Sequence, residues 1–206
     1  MTPAQARYIL VGIVLTVLLV GAVFLLRLTR PALVVPESNF PRAQGPLNAP
    51  VQIIEYSDFQ CPACQKAQTD LFQLMGQYAG KIRLIYQHFP LDGHRWSPLA
   101  HHCAECAARQ DRFWVFHDRL YAEQSIWSNS KEEPLETFLK YAKEGGLDLD
   151  QFARCLVDQT VDRRIDQEKK AGLGLGVKST PSFFVNGKMV IGGQNLRVEV
   201  EKQIPK

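Results

Sequence analysis

The run Val51-Gln52-Ile53-Ile54-Glu55-Tyr56 leads through Ser57-Asp58-Phe59-Gln60 into Cys61-Pro62-Ala63-Cys64, and this passage says most about the architecture. Its first six residues are almost continuously apolar, the pattern of a strand covered on both faces. The next four form a loop. From Ala63 to Tyr78, Leu71, Leu74 and Met75 fall at helical spacing. Cys61 therefore sits where a strand loop meets the start of a helix. There the first backbone N–H groups lack helical partners and the helix dipole presents its positive end. Both favour thiolate over thiol and make Cys61 the nucleophile. Cys64, a turn further in, is placed as the resolving thiol. Pro62 fixes φ at the helix start and lacks an N–H that would be unpaired anyway. C-x-x-C also forms half of many zinc sites, but a zinc knuckle needs two further ligands at suitable spacing. The strand-loop-CPAC-helix setting favours redox chemistry.

Outward from this passage, Ile82 to Phe89 reads as a second strand, giving a βαβ unit and a partly parallel sheet. Ser97-Pro98 has the form of a helix start, with Ser97 as N-cap and Pro98 at the first position. Helix continues to about Gln110 and again from Asp111 to Glu123. Pro134 opens another, closed by Gly145-Gly146. Asp150 is a candidate cap for a short helix carrying Phe152 and Cys155, and residues 158–171 read as one more. Ser182 to Val185 and Lys188 to Ile191, joined by Asn186-Gly187, form a hairpin. Leu196 to Gln203 reads as a terminal helix. The order is βαβ, a helical block at about 97–172, then ββα: an α/β domain with a helical insertion.

The N-terminus has a different character. Tyr8 to Leu26 (YILVGIVLTVLLVGAVFLL) is 19 residues without a charge. As a helix it spans roughly 28 Å, close to the thickness of a bilayer core. The run is longer than the usual apolar core of a signal peptide, and no small-x-small cleavage site or lipidation cysteine follows it. An uncleaved signal-anchor is expected. Arg7 on one side and Arg27 and Arg30 on the other leave orientation undecided by flanking charge. From Pro31 to Pro50 prolines recur without helical or strand period, as in an extended tether. The expected organisation is an anchor at residues 1–30 with its transmembrane helix at about 8–26, a Pro-rich linker at 31–50, and a catalytic domain at 51–206.

Composition narrows the function. The 206 residues carry a net charge of +3. Three of the basic residues and no acidic one lie in residues 1–30, so the remainder is balanced. There is no basic patch of the kind a phosphate-binding surface needs, and no nucleic-acid partner is expected.

Two further positions bear on the chemistry. Glu55 lies at the end of the first strand, under the helix that Cys61 opens. Burial raises a carboxyl pKa, so Glu55 could exchange the proton that Cys64 gives up or takes; the alternative is a carboxylate with its head in solvent. Thr180-Pro181 precedes the hairpin. X-Pro bonds reach the cis form far more easily than others, and a cis-Pro181 facing Cys61 would leave the Thr180 backbone free to pair with a substrate strand.

Together these residues resemble the DsbA-like thiol-disulfide oxidoreductases of the thioredoxin superfamily. The matching pieces are EYSDFQCPAC (55–64), QHFPL (87–91), CAARQDRFW (106–114) and GVKSTPSFFVNGKMVIGGQ (176–194). The resemblance implies a thioredoxin-like fold whose helical block is the family's inserted domain. It also implies that Cys61 attacks, Cys64 resolves, Glu55 carries a proton, Pro181 is the cis-proline, and Thr180 and Pro181 meet the substrate. The inner dipeptide Pro62-Ala63 tunes the pair; it lacks the histidine of the best-known member, so exchange chemistry is implied but not a strongly oxidising potential. Cys106 and Cys155 match positions that form a second disulfide in some relatives. Such a bond would add on the order of 3 kcal/mol. Buried free thiols, or a metal held by His101, His102, Cys103 and Cys106, are the alternatives, although adjacent histidines on a helix point in different directions. His88, His94 and His117 are isolated in sequence and read as structural or surface residues.

The function expected is an extracytoplasmic dithiol oxidase, single-pass in a bacterial inner membrane, with its domain in the periplasm. The redox-active disulfide serves in place of a cofactor, and no metal is expected. Expected partners are reduced client proteins and a quinone-linked membrane reoxidase of the DsbB or VKOR-like type, with the chain a monomer. A reductase or isomerase using the same pair, and a membrane-tethered metal-binding protein, are the competing readings.

Overall fold

A computed structural model describes residues 42–205 together with 5, 12, 15–17 and 19–21. The chain divides into two units, Met1–Glu37 and Ser38–Lys206. In the first unit the described residues are helical. Most of the expected transmembrane helix at 8–26, and the expected linker from 31 to 41, lie outside the described residues. Among the described residues no helix is long and apolar enough to cross a membrane.

The second unit is an α/β domain. In chain order it holds β1 (Ala43–Gln44), β2 (Val51–Ser57), α1 (Pro62–Gln77), β3 (Ile82–His88), α2 (Ser97–Ala108), α3 (Phe113–Ala122), α4 (Gln124–Trp127), α5 (Leu135–Glu144), α6 (Leu149–Leu156), α7 (Gln159–Gly174), β4 (Ser182–Val185), β5 (Lys188–Ile191) and α8 (Gly193–Gln203). The strands form one sheet in the order β1-β3-β2-β4-β5. β2 pairs parallel with β3 along its whole length, from Val51 opposite Ile82 to Ser57 opposite His88. The other pairings are antiparallel, and one of them sets Glu55 opposite Phe183 on β4. β2 is thus the central strand, as its near-continuous apolar run requires.

Two cores flank this frame. Val51, Ile53, Leu71, Leu74, Leu84, Phe183, Val185, Leu196 and Val200 pack between the sheet and helices α1 and α8. The second core, rich in rings, fills the helical block: Phe113, Phe116, Leu120, Trp127, Phe138 and Phe152 join Phe59 from the active-site loop and Tyr86 from β3. The loop that carries the cysteines is therefore anchored in the core of the insertion.

The structure corrects three local expectations. Residues 42–50 of the expected linker belong to the fold: β1 pairs with β3, and Arg42 is 1% exposed. A two-residue strand has no period to read. Its turn requires Gly45, whose φ is +86° and where a Cβ would collide with the Ile82 carbonyl oxygen. Ser97 is the first helical residue of α2 and caps nothing; its hydroxyl donates to Asp58 Oδ1 at 2.6 Å. The cap of α6 is Asp148, which accepts from the Gln151 N–H at 2.8 Å, while Asp150 lies inside the first turn.

Arg42 joins the start of the fold to the helical block. Its guanidinium meets Glu105 on α2 at 3.3 Å and makes a close ion pair with Glu168 on α7. Arg164 also reaches Glu105, at 3.1 Å, and the His88 N–H donates to Glu168 at 2.8 Å. Removing one member of a buried ionic cluster leaves charge uncompensated. Arg42→Ala is expected to destabilise the domain by about 3–5 kcal/mol, seen as a lower urea midpoint with an unchanged denaturant slope. An unchanged midpoint would remove Arg42 from the fold's supports.

Candidate active site

Cys61 is the N-cap residue of α1, with extended backbone and Pro62 at the first helical position. Its carbonyl accepts from the N–H groups of Cys64 and Gln65 at 3.1 and 3.2 Å. Cys61 is 7% exposed and Cys64 is fully buried. Their environments push the two thiols apart. A hydrogen bond from the Cys64 thiol lowers the Cys61 pKa most; burial opposes it, and the Thr180 hydroxyl and the Cys64 and Ala63 N–H groups reinforce it, giving a value of about 5. Burial, followed by the neighbouring Cys61, pushes Cys64 well above the ordinary thiol value. One sulfur is prepared as a thiolate and the other is kept as a thiol.

Thr180 stands across from Cys61 and precedes a cis Pro181. Its carbonyl oxygen lies 3.5 Å from Cys61 Sγ. Its hydroxyl is buried without a hydrogen-bond partner of its own, leaving it available to the thiolate. Cys61, Cys64, Thr180 and Pro181 therefore converge, although 119 residues separate Cys61 from Thr180.

Asp58 positions both sulfurs. Its carbonyl accepts from the Cys61 N–H at 3.1 Å, and its N–H lies 3.5 Å from Cys64 Sγ. Its fully buried carboxylate accepts from the Gln60 and Leu91 N–H groups, each at 2.8 Å, and from Ser97 Oγ at 2.6 Å. His94 Nδ1 lies 2.7 Å away and His101 Nε2 3.7 Å away. Burial alone would raise the Asp58 pKa; His101, the Ser97 hydroxyl and the Leu91 N–H outweigh it and hold the carboxyl well below the usual range. Gln124 on α4 completes the clamp, donating to the carbonyls of Phe59 and Cys61 at 2.7 and 3.0 Å.

Glu55 lies fully buried on the central strand. Its Oε1 accepts from Gln68 Nε2 on α1 at 2.9 Å. Burial raises its pKa, partly offset by attraction to His117 and by the Ser57 hydroxyl and Gln68. Ser57 Oγ is 3.0 Å from the Tyr121 hydroxyl, and the Tyr86 hydroxyl donates to the Ser57 carbonyl at 3.3 Å. Both tyrosines feel the charges of Glu55 and Cys64, so a polar cluster joins the carboxyl to the buried thiol.

The sequence reading passed over Asp58, Ser57, Gln68, Tyr86 and Tyr121. Two of these left a local signal. Period-two alternation puts Ser57 on the face of Glu55, and Asp58 two residues before Gln60 is the spacing of an Asx turn. The others come together only through tertiary packing. Nor are the three lone histidines isolated. His94 meets Asp58; His88 Nδ1 lies 2.6 Å from His101 Nδ1 and its Nε2 3.2 Å from Glu105; His117 packs against Phe59, Tyr86 and Tyr121.

The remaining cysteines lie in the helical block. Cys106 and Cys155 are joined by a disulfide that ties α2 to α6, with Cα atoms 5.7 Å apart. His102 is close to both sulfurs, but its nitrogens face Asp162 Oδ1 at 2.7 Å and the Cys155 carbonyl at 3.1 Å. Disulfide sulfurs are not thiolate ligands. Cys103 is a fully buried free thiol whose pKa burial pushes up.

Comparison with known proteins agrees with this geometry. A family model described as Thioredoxin matches residues 37–204. The chain belongs to this family. It is 30% identical over 172 residues to a probable disulfide bond formation protein D of Bacillus anthracis, covering 79% of this chain and 77% of that one. Among solved structures, a thioredoxin-like oxidoreductase from Silicibacter pomeroyi is 27% identical, with a TM-score of 0.66 over 83% of this chain and 94% of that one. These matches place the chain in the thioredoxin family beside relatives named as a disulfide bond formation protein and a thioredoxin-like oxidoreductase. It is also 38% identical over 154 residues to the Na(+)/H(+) antiporter NhaA 3 of Salinispora tropica, matching 74% of this chain and 22% of the antiporter. The chain thus spans about a fifth of the length of the first curated relatives it matches.

The divergent thiols predict a labelling pattern. At pH 7 iodoacetamide is expected to modify Cys61 of the reduced protein within minutes, leaving Cys64 and Cys103 unmodified until denaturant is added. Peptide mass mapping reads the sites. Equal labelling of Cys61 and Cys64 in the native protein would contradict the assignment.

Proposed function

We propose that the chain is an extracytoplasmic dithiol oxidase that introduces disulfides into client proteins through the Cys61–Cys64 pair. The observation that carries this reading is the contrast between a Cys61 thiolate supported at a helix N-terminus and a Cys64 thiol buried one turn behind it. A stabilised thiolate favours the reduced enzyme, and an enzyme stable when reduced is an oxidant when its pair is a disulfide.

The reaction runs in two exchanges. A client thiolate attacks Cys61 of the Cys61–Cys64 disulfide, and the bond to Cys64 breaks. Cys64 leaves as a thiolate and takes a proton from Glu55. The client's second thiolate attacks the client sulfur bound to Cys61, releasing oxidised client and the Cys61 thiolate. Two electrons have passed from client to enzyme. Thr180 and Pro181 form the wall beside Cys61 against which an extended client segment pairs. Reoxidation returns the two electrons to an acceptor and the Cys64 proton to Glu55. The acceptor class is a quinone-linked membrane reoxidase of the DsbB or VKOR-like type.

The same proposal covers placement. Residues 1–30, with an apolar run at 8–26, anchor the chain as a single pass in a bacterial inner membrane. The stretch from 31 to 41 tethers the domain on the periplasmic side, where the chain acts as a monomer without a cofactor beyond its own disulfide. What supports this is the length of the uncharged run and the need of an oxidase for an oxidising compartment.

The test is oxidation of a reduced two-cysteine peptide by the oxidised protein. Stoichiometric conversion is expected. Cys61→Ser should abolish it, and Glu55→Gln should slow it on the order of a hundredfold. A protein that reduces disulfide peptides but leaves the dithiol peptide unchanged would overturn the oxidase reading in favour of a reductase or isomerase.

A further inference from the structure

Glu55 is fully buried, and its two carboxyl oxygens stand in different surroundings. Oε1 accepts from Gln68 Nε2 at 2.9 Å. Oε2 is buried without a hydrogen-bond partner. Ser57 Oγ, on the same face of β2, lies 3.0 Å from the Tyr121 hydroxyl instead. The titratable groups around the carboxyl are Cys64 from α1, Tyr86 beside it on β3, and His117 and Tyr121 from α3; β4 sets Phe183 opposite it.

Gln68 follows Cys64 by four residues on α1, so the two side chains share a face of the helix. The helix that carries the buried thiol thus also carries the amide that grips the buried carboxyl. Gln68 is half-buried. With Leu71, Phe72 and Met75 it lines an open cleft of about 710 Å³ between α1 and α3, and Cys61 is not among the walls of that cleft. The amide therefore reaches Glu55 from a position at the edge of solvent, away from the side on which Cys61 meets its clients.

The direction of this hydrogen bond has chemical consequences. In a protonated carboxyl the carbonyl oxygen is the better acceptor, and the other oxygen holds the proton. An N–H aimed at Oε1 makes Oε1 the carbonyl oxygen and leaves the proton to Oε2. The same N–H stabilises the carboxylate more than the acid, and so opposes the burial that raises the Glu55 pKa.

We propose that Gln68 is the positioning residue of the proton carrier, fixing Oε1 as the carbonyl oxygen and Oε2 as the atom that exchanges the proton with Cys64. This rests on the reading of Glu55 as that carrier. When a client thiolate attacks Cys61, the Cys61–Cys64 bond breaks and the Cys64 thiolate takes the proton from Oε2. On reoxidation Cys61 first forms a mixed disulfide with the acceptor. Cys64 then returns its proton to Oε2 and attacks the Cys61 sulfur; the pair closes and the acceptor leaves as a thiolate. Glu55 must be an acid in one half and a base in the other, and the Gln68 donor sets the balance between them.

The experiment follows both half-reactions of the full chain across pH: oxidation of a dithiol peptide by the oxidised protein, and reoxidation of the reduced protein by oxidised glutathione. Gln68→Leu keeps the cleft lined and removes the donor, so Glu55 should hold its proton to higher pH. The client half, which needs the acid, should keep its rate to about one pH unit higher. The reoxidation half, which needs the carboxylate, should slow about tenfold at lower pH and recover as pH rises. A general disturbance of the fold would slow both halves together. The carbonyl band of protonated Glu55 in infrared difference spectra, assigned by its loss in Glu55→Gln, should move to higher frequency. Gln68→Glu keeps the shape without the N–H donor and should give the same opposed shifts; it keeps the test valid if Gln68→Leu folds poorly. Equal losses in both halves, or unmoved profiles and an unmoved band, overturn the role of Gln68. If Glu55→Gln removes the pH-dependent limbs and the Gln68 variants leave them in place, the carrier stands and only its positioning fails. If Glu55→Gln leaves both profiles unchanged, the carrier reading fails.

Discussion

Two sulfurs three residues apart must hold opposite protonation states, and much of this fold serves that requirement. Cys61 gains the free N–H groups of a helix start, the Cys64 thiol as a donor, and the Thr180 hydroxyl. Cys64, one turn inward, meets only interior. A helix that begins at Pro62 makes the contrast unavoidable: its cap residue, Cys61, stands at the loop, and its third residue, Cys64, is buried behind it. The histidine common in the inner dipeptide of the best-known relative is absent here. Its place in stabilising the thiolate is taken by neutral donors, and the imidazoles of His94 and His101 are turned onto Asp58.

The contrast holds only if the loop before Cys61 is rigid, and Asp58 is its fastening. Its side chain takes hydrogen bonds from the loop itself, from the segment after β3 and from α2. Its backbone holds Cys61 and reaches Cys64. Gln124 and the aromatic core of the insertion grip the same loop from the other side. The helical block is thus part of the redox site. Arg42, Glu105 and Glu168 extend the same continuity back to the first strand of the domain.

Much of this was legible in the sequence because it is local. The apolar run at 51–56, the proline after Cys61 and the Asn186-Gly187 turn each state their structure within a few residues. The helix pattern of the insertion was equally plain, apart from caps displaced by one or two positions at Ser97 and Asp150. What could not be read depends on distance in the chain. Arg42 is a charged residue in a proline-rich stretch, and only its pairing with residues 63 and 126 positions later explains its burial. His88 and His101 are unremarkable until the sheet and α2 bring their rings together. His117 is likewise placed only by packing, against Phe59, Tyr86 and Tyr121.

The most direct test of the central claim is the reduction potential of the Cys61–Cys64 pair, measured against glutathione from pH 4 to pH 8. If Cys61 titrates at about 5 in the reduced protein, two protons accompany two electrons below that pH and one above it. The slope should therefore change near pH 5 from about 59 to about 30 mV per pH unit. A single slope of about 59 mV per unit through pH 8 would mean that Cys61 stays protonated, and would contradict the account.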